Sequence, residues 1–127
     1  MNLFEKEAFV TKAAEEFENQ SPEAILKLAV DTFESLTLAC SFGAEDVVLV
    51  DMLQKIKPNV DIFYLDTNVH FDETYETKER LEKHYGMKFV QVLPKLTLDE
   101  QAEKFGDELW KSDANQCCNI RKVDPLT

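Results

Sequence analysis

Apolar residues recur at helical spacing over residues 4–18, where Val10, Ala13, Ala14 and Phe17 stand at i, i+3, i+4 and i+7. A second helix opens in NQSPEAILKLAVDTF. Ser21 suits its N-cap and Pro22 its first turn, with Ile25, Leu28, Ala29 and Thr32 as the apolar face. The period then changes. LTLAC, residues 36–40, is a short uncharged run of the kind a buried parallel strand shows. SFGAED breaks it, and EDVVLVDMLQKI resumes helical spacing with Leu49, Met52, Leu53 and Ile56 on one stripe. After the turn KPN, VDIFYL (60–65) reads as a second buried strand, and DTNVHF is the loop that leaves it. DETYETKERLEKHYG predicts a third helical unit, with Glu76–Arg80 and Glu79–Lys83 as i,i+4 pairs and Gly86 as C-cap. MKFVQVL (87–93) predicts a third strand. Thr97 and Glu100 stand at capping-box spacing, and DANQCCNIRK predicts a helix started by Asp113.

The order α-α-β-α-β-α-β-α-α implies an α/β fold, a parallel sheet flanked by helices. No repeat, low-complexity tract or Gly/Pro-rich linker interrupts it, so residues 1–127 read as a single domain. In such sheets ligands bind beyond the carboxyl ends of the strands. That places the candidate chemistry in loops 41–46 and 66–71.

Composition narrows the choice. With 44% hydrophobic and 31% charged residues, the chain fits a globular protein rather than a disordered one. A net charge of -11 argues against general nucleic-acid binding. It leaves open a small anion held by helix N–H groups. No run approaches the roughly 20 apolar residues that span a bilayer, and MNLFEKEAFVTKAAEEFENQ has no apolar signal core. Three cysteines form no disulfide framework, so a cytoplasmic, reducing setting is expected.

In CSFGAEDVVL, Ser41 can donate to an anion, Gly43 leaves the backbone approachable, and the N–H groups of residues 43–46 can face a phosphate or sulfate. The loop lacks the Gly-Lys-Ser/Thr element of a Walker A motif. An ordinary strand-to-helix turn capped by Ser41 is the alternative. In LDTNVHFDETY, Asp66 can accept from a ribose hydroxyl or an adenine amino group. Thr67 and Asn68 can add hydrogen bonds, and Asn68 tolerates left-handed backbone. His70 is either a ligand contact or a structural group. Phe71 and Tyr75 are expected in the core. Cys117 and Cys118 read as buried structural thiols, as a strained vicinal disulfide, or as metal ligands. Adjacent helical side chains diverge by about 100°, which suits two corners of an iron–sulfur cube better than one zinc ion. A cube takes about four cysteines, and Cys40 sits apart in a strand as a small core hydrophobe. Arg121 and Lys122 either offset a nearby anion or sit solvated at a helix end.

Together, SFGAEDVVLVDM, LDTNVHFDETY and CCNIRKVDPL resemble the sulfonucleotide reductases of assimilatory sulfate reduction, over roughly residues 20–127. The iron–sulfur adenylyl-sulfate branch is the better match, since the phosphoadenylyl-sulfate branch lacks the cysteine pair. The resemblance implies an adenine nucleotide α-hydrolase-like, PP-loop-type three-layer domain. It also implies reduction of adenylyl sulfate to sulfite and AMP, with thioredoxin as electron donor. It assigns substrate binding to Ser41, Phe42, Gly43, Ala44, Glu45 and Asp46, to Leu65, Asp66 and Thr67, and to His70. Cys117 and Cys118 are ligands of a [4Fe-4S] cluster by the same likeness, and Lys122, with Arg121, is a supporting cation. Asn68 replaces the family's usual glycine. A further Cys-x-x-C pair and a late nucleophilic cysteine, which attacks sulfur to give a thiosulfonate, do not occur in this sequence. The chain is therefore expected to be truncated before the catalytic segment, inactive alone and self-associating. Rival expectations are a phosphoadenylyl-sulfate reductase, an ATP pyrophosphatase or sulfate adenylyltransferase-like subunit, and a non-catalytic nucleotide-binding module.

Overall fold

A computed structural model describes residues 2–127. Two N-terminal helices, α1 (Leu3–Phe17) and α2 (Pro22–Thr32), precede three parallel strands and their connecting helices. These are β1 (Thr37–Ala39), α3 (Ala44–Ile56), β2 (Asp61–Leu65), α4 (Asp72–Tyr85) and β3 (Val90–Val92). Short helices follow: α5 (Leu98–Phe105), α6 (Leu109–Ser112) and α7 (Ala114–Cys118). A π-helical turn at Asn119–Val123 then leads into α8 (Asp124–Leu126).

Local chemistry sets the boundaries. Ser21 accepts from the Ala24 N–H at 3.2 Å, with Pro22 beginning α2. Thr97 and Glu100 form the reciprocal capping box of α5. An equivalent box, Asn2 with Glu5, starts α1. Gly86 ends α4 at φ 62°, a left-handed residue that glycine adopts without strain. The turn widens after α7 just upstream of Pro125, whose ring would collide with the carbonyl four residues back in a regular α-helix.

The sheet order is β1-β2-β3, all parallel, with Leu38 opposite Ile62 and Tyr64 opposite Gln91. The ladder continues past the strands. The Cys40 N–H donates to the Phe63 carbonyl and the Asp66 N–H to the Val92 carbonyl, both at 2.9 Å. These bonds tie the residue before the first candidate loop and the first residue of the second to the sheet.

One sheet face holds the core. Cys40, Ile62, Tyr64 and Phe89 are buried with Val50 of α3, and Leu81 and Tyr85 of α4 pack on them. Glu82 of α4 is drawn in as well. It accepts from the Phe89 N–H at 3.0 Å and pairs with Lys78 at 3.2 Å. On α4 this pair forms, whereas the expected Glu76–Arg80 and Glu79–Lys83 pairs are absent among the described residues. The opposite face, with Thr37, Ala39 and Val90, is open, and Val90 is 47% exposed. LTLAC is thus an edge strand rather than a buried one; being outermost, it is covered on one side only.

Three further expectations shift. The buried face of α3 is Val50 and Leu53, displaced from the predicted stripe because the helix turns Val50 onto the sheet. Ile25 of α2 is exposed beside an apolar groove of about 720 Å³ between α1 and α2. Phe71, expected in the core, is 80% exposed because it precedes α4 in the loop instead of lying on its inner face.

Candidate active site

Both loops lie at the carboxyl end of the sheet, as the topology requires. They enclose a cavity of about 200 Å³ lined by Ser41, Phe42, Leu65, Thr67, His70 and Lys122, with Phe63, Ala39 and Cys40 as its floor. Lys122 comes from the π-helical turn, 55 positions after Thr67. Of the expected site residues, Ser41, Phe42, Leu65, Thr67, His70 and Lys122 share this cavity, while Gly43, Ala44, Glu45 and Asp46 form the bend and first turn above it.

The first loop is held from within. The Ser41 N–H and hydroxyl both donate to Asp46 Oδ2, at 2.7 and 2.6 Å. Ser41 therefore braces the loop, while Gly43 takes the N-cap position of α3 with no side-chain cap. Phe42 lies at φ 64°, an unfavourable region for a bulky residue. Its ring is anchored edge-on against Phe89 and Tyr64, with centroids 5.0 and 5.4 Å away. Aromatic packing of this kind offsets the backbone strain. Gly43 is at φ -69°, and a Cβ there would meet only ordinary contacts, so the fold itself does not demand glycine. Its bareness keeps the outside of the loop open.

The second loop is organised by Asp66, which is buried. Its Oδ1 accepts from the Tyr75 hydroxyl at 2.6 Å and the Asn68 N–H at 3.1 Å, and its Oδ2 accepts from Gln91 Nε2 at 2.7 Å. Burial pushes its pKa up, but the hydrogen bonds from Tyr75, Gln91 and Asn68 outweigh this and leave the carboxyl below the usual range. The carboxylate points into the fold and shapes the loop, a different role from the ribose or adenine contact that the sequence suggests. Asn68 adopts φ 64°, the left-handed conformation its side chain tolerates and a glycine would supply. His70 Nε2 donates to the Leu65 carbonyl at 2.9 Å, and its ring lies edge-on to Tyr75. It lines the cavity while bracing the loop.

The third component is Arg121, a cation the sequence places near the site without showing its partners. Arg121 is 2% exposed; its Nε donates to the Thr67 carbonyl at 2.7 Å and its Nη1 to Gln101 Oε1 at 3.0 Å. Its Nη2 is buried without a hydrogen-bond partner among the described residues. An unmade bond of this kind costs roughly 1–3 kcal/mol. Arg121 and Lys122 thus diverge: the first locks the loop from below, the second faces the cavity. Gln101 also reaches Cys117 Sγ, at 3.7 Å. Its role had no signal in the sequence beyond a polar residue on the inner side of a short amphipathic helix.

Cys117 is buried and Cys118 exposed. Two thiols do not hold a four-cysteine cube, and among the described residues no group of three or more His, Cys, Asp or Glu side chains converges as a metal site. The residues present therefore do not by themselves fit a cluster.

A parallel α/β sheet with an anion-sized cavity at its carboxyl end and a cation on the rim defines a nucleotide-binding class of domain. Comparison narrows the class. Residues 35–127 match the family described as "Phosphoadenosine phosphosulfate reductase domain", and the chain belongs to that family. The relative from Lysinibacillus sphaericus named adenosine 5'-phosphosulfate reductase is 54% identical over 92 residues, 72% of this chain and 40% of its own length. The protein of that name in Staphylococcus epidermidis RP62A is 42% identical over 125 residues, covering 97% of this chain and 51% of its own. Adenosine 5'-phosphosulfate reductase 1 of Bacillus subtilis 168 is 49% identical over 105 residues, covering 81% and 45%. The chain thus spans about half the length of the curated relatives it matches. Among solved structures, phosphoadenylyl-sulfate (PAPS) reductase from Candida auris, in a phosphate complex, superposes with a TM-score of 0.81 at 32% identity. It covers 92% of this chain and 58% of that one.

Proposed function

We propose that this chain is the substrate-binding portion of an adenylyl-sulfate reductase, which reduces adenylyl sulfate to sulfite and AMP in the cytoplasm. The carrying observation is the cavity that brings Lys122 together with Ser41, Thr67 and His70. Lys122 offers the sulfate or phosphate a point charge, and the first-turn N–H groups of α3 offer a second anion-binding surface. At about 200 Å³ the cavity is smaller than the roughly 300–1,000 Å³ of small-molecule sites. In this reading it seats the anionic end of the ligand, and the rest is covered by residues not in this sequence. The names of the relatives support adenylyl sulfate over phosphoadenylyl sulfate.

In the same reading Cys117 and Cys118 supply two ligands of a [4Fe-4S] cluster, with the others and the nucleophilic cysteine drawn from elsewhere. Three cysteines cannot fill all these roles. Thioredoxin is the proposed electron donor, and the chain alone is inactive and self-associating. Competition calorimetry tests the substrate assignment. Adenylyl sulfate should bind more tightly than ATP, and Lys122→Ala should weaken it about tenfold, the scale of one charge-assisted hydrogen bond. Preference for ATP would overturn it in favour of a pyrophosphatase-like subunit.

A further inference from the structure

The two adjacent thiols are in different situations, and the difference traces to one amide. Gln101 is 2% exposed, as is Arg121, and Cys117 is 7% exposed. An amide can be turned either way, but here the choice is forced. Arg121 has only donors to offer, so the atom of Gln101 that meets Nη1 at 3.0 Å is the oxygen. The amide nitrogen is then directed at Cys117 Sγ, at 3.7 Å, a normal reach for a donor to a large sulfur atom. Arg121 itself is fixed by Thr67 of the cavity loop through Nε. A continuous line of contacts therefore runs from the cavity through Arg121 and Gln101 to one cysteine and bypasses its exposed neighbour Cys118.

We propose that Gln101 is a positioning residue. Its amide, oriented by Arg121, pins the Cys117 sulfur at a fixed place relative to the substrate loop, while Cys118 stays free. The proposal rests on the reading of Cys117 as a working thiol but is tested independently of it. In the intact chain, alkylation by iodoacetamide followed by residue-resolved mass spectrometry should label Cys118 fast and Cys117 slowly. Gln101→Leu should speed Cys117 labelling about tenfold, the scale of one lost hydrogen bond to a buried group. Cys40, buried in the sheet core away from this line, should stay within about twofold and serves as the reporter of general loosening. Arg121→Met frees the amide to rotate and should give a similar rise. Because both variants break one line of contact, the double variant should add little to either. An unchanged Cys117 rate, a parallel rise at Cys40, or multiplicative effects in the double variant would each overturn the proposal. If Cys117 labelling is unchanged while adenylyl sulfate still binds, the positioning role falls and the substrate reading stands.

Discussion

Replacing Asp66 by asparagine separates a carboxylate that shapes the loop from one that holds the ligand. Asp66 accepts three hydrogen bonds from Tyr75, Gln91 and Asn68. In Asp66→Asn the amide oxygen can keep Tyr75 and Asn68, and exposed Gln91 can rotate to present its own oxygen to the new NH₂ group. No partner need be orphaned, so the loss is the difference between charge-assisted and neutral bonds. Taken over the two shortest bonds, that difference is about 2 kcal/mol, or a fall in Tm of roughly 5–10 °C for a domain of this size. Urea unfolding of the two proteins measures it. The sign with pH follows from the depressed carboxyl value of Asp66. Its stabilisation is complete above the unfolded carboxyl range near 3.9 and is lost as the pH falls through the lower folded value. The advantage over Asp66→Asn should therefore shrink in acid. A stability change under about 0.5 kcal/mol, together with a large loss of adenylyl-sulfate affinity, would refute the reasoning and restore Asp66 as a ligand contact.

Other outcomes follow from the same geometry. Burial and the Asp66 hydrogen bond push the Tyr75 phenol up to about 12, and the Asp51 hydrogen bond does the same for Tyr85. Tyr64 is also raised, by burial, and ultraviolet titration should show two of the three phenols ionising only at about 12. Two tyrosines titrating at the ordinary value would contradict the Asp66 and Asp51 contacts. Gly86→Ala places a Cβ in open space at φ 62°, so its cost is backbone strain alone, about 1 kcal/mol, read from the urea midpoint. Ile62→Ala removes a fully buried side chain from the central strand and should cost about 2–5 kcal/mol in the same assay, without shifting the tyrosine titration.

The elements were readable wherever short-range rules act. Ser21, Thr97 and Gly86 cap helices by local hydrogen bonding and backbone preference, so their spacing alone marks them. Burial was less legible. LTLAC looks like a central strand because its composition is uncharged, but whether a strand lies at an edge depends on sheet order, which no local pattern encodes. In the site, the two loops follow from strand–loop–helix order, while Asp66 shows how a polar residue at a strand end is tied into the fold by distant partners. Its partner Gln91 is 25 positions away and on another strand. Arg121 and Lys122 are neighbours that read as one basic pair, yet the widened turn sends one inward and one to the cavity rim. Gln101 acquires its role through Arg121 and Cys117, which are distant in sequence, and nothing near it foretells that.

The location of the substrate site is tested most directly by titrating adenylyl sulfate into the isotope-labelled chain and following backbone amide shifts. They should concentrate at Ser41–Asp46, Asp66–His70 and Arg121–Lys122, and in Lys122→Ala the same shifts should need about tenfold more ligand to reach half their size. Shifts confined to the α1–α2 groove, or none at any of the three segments, would contradict a sulfonucleotide site at the carboxyl end of β1 and β2.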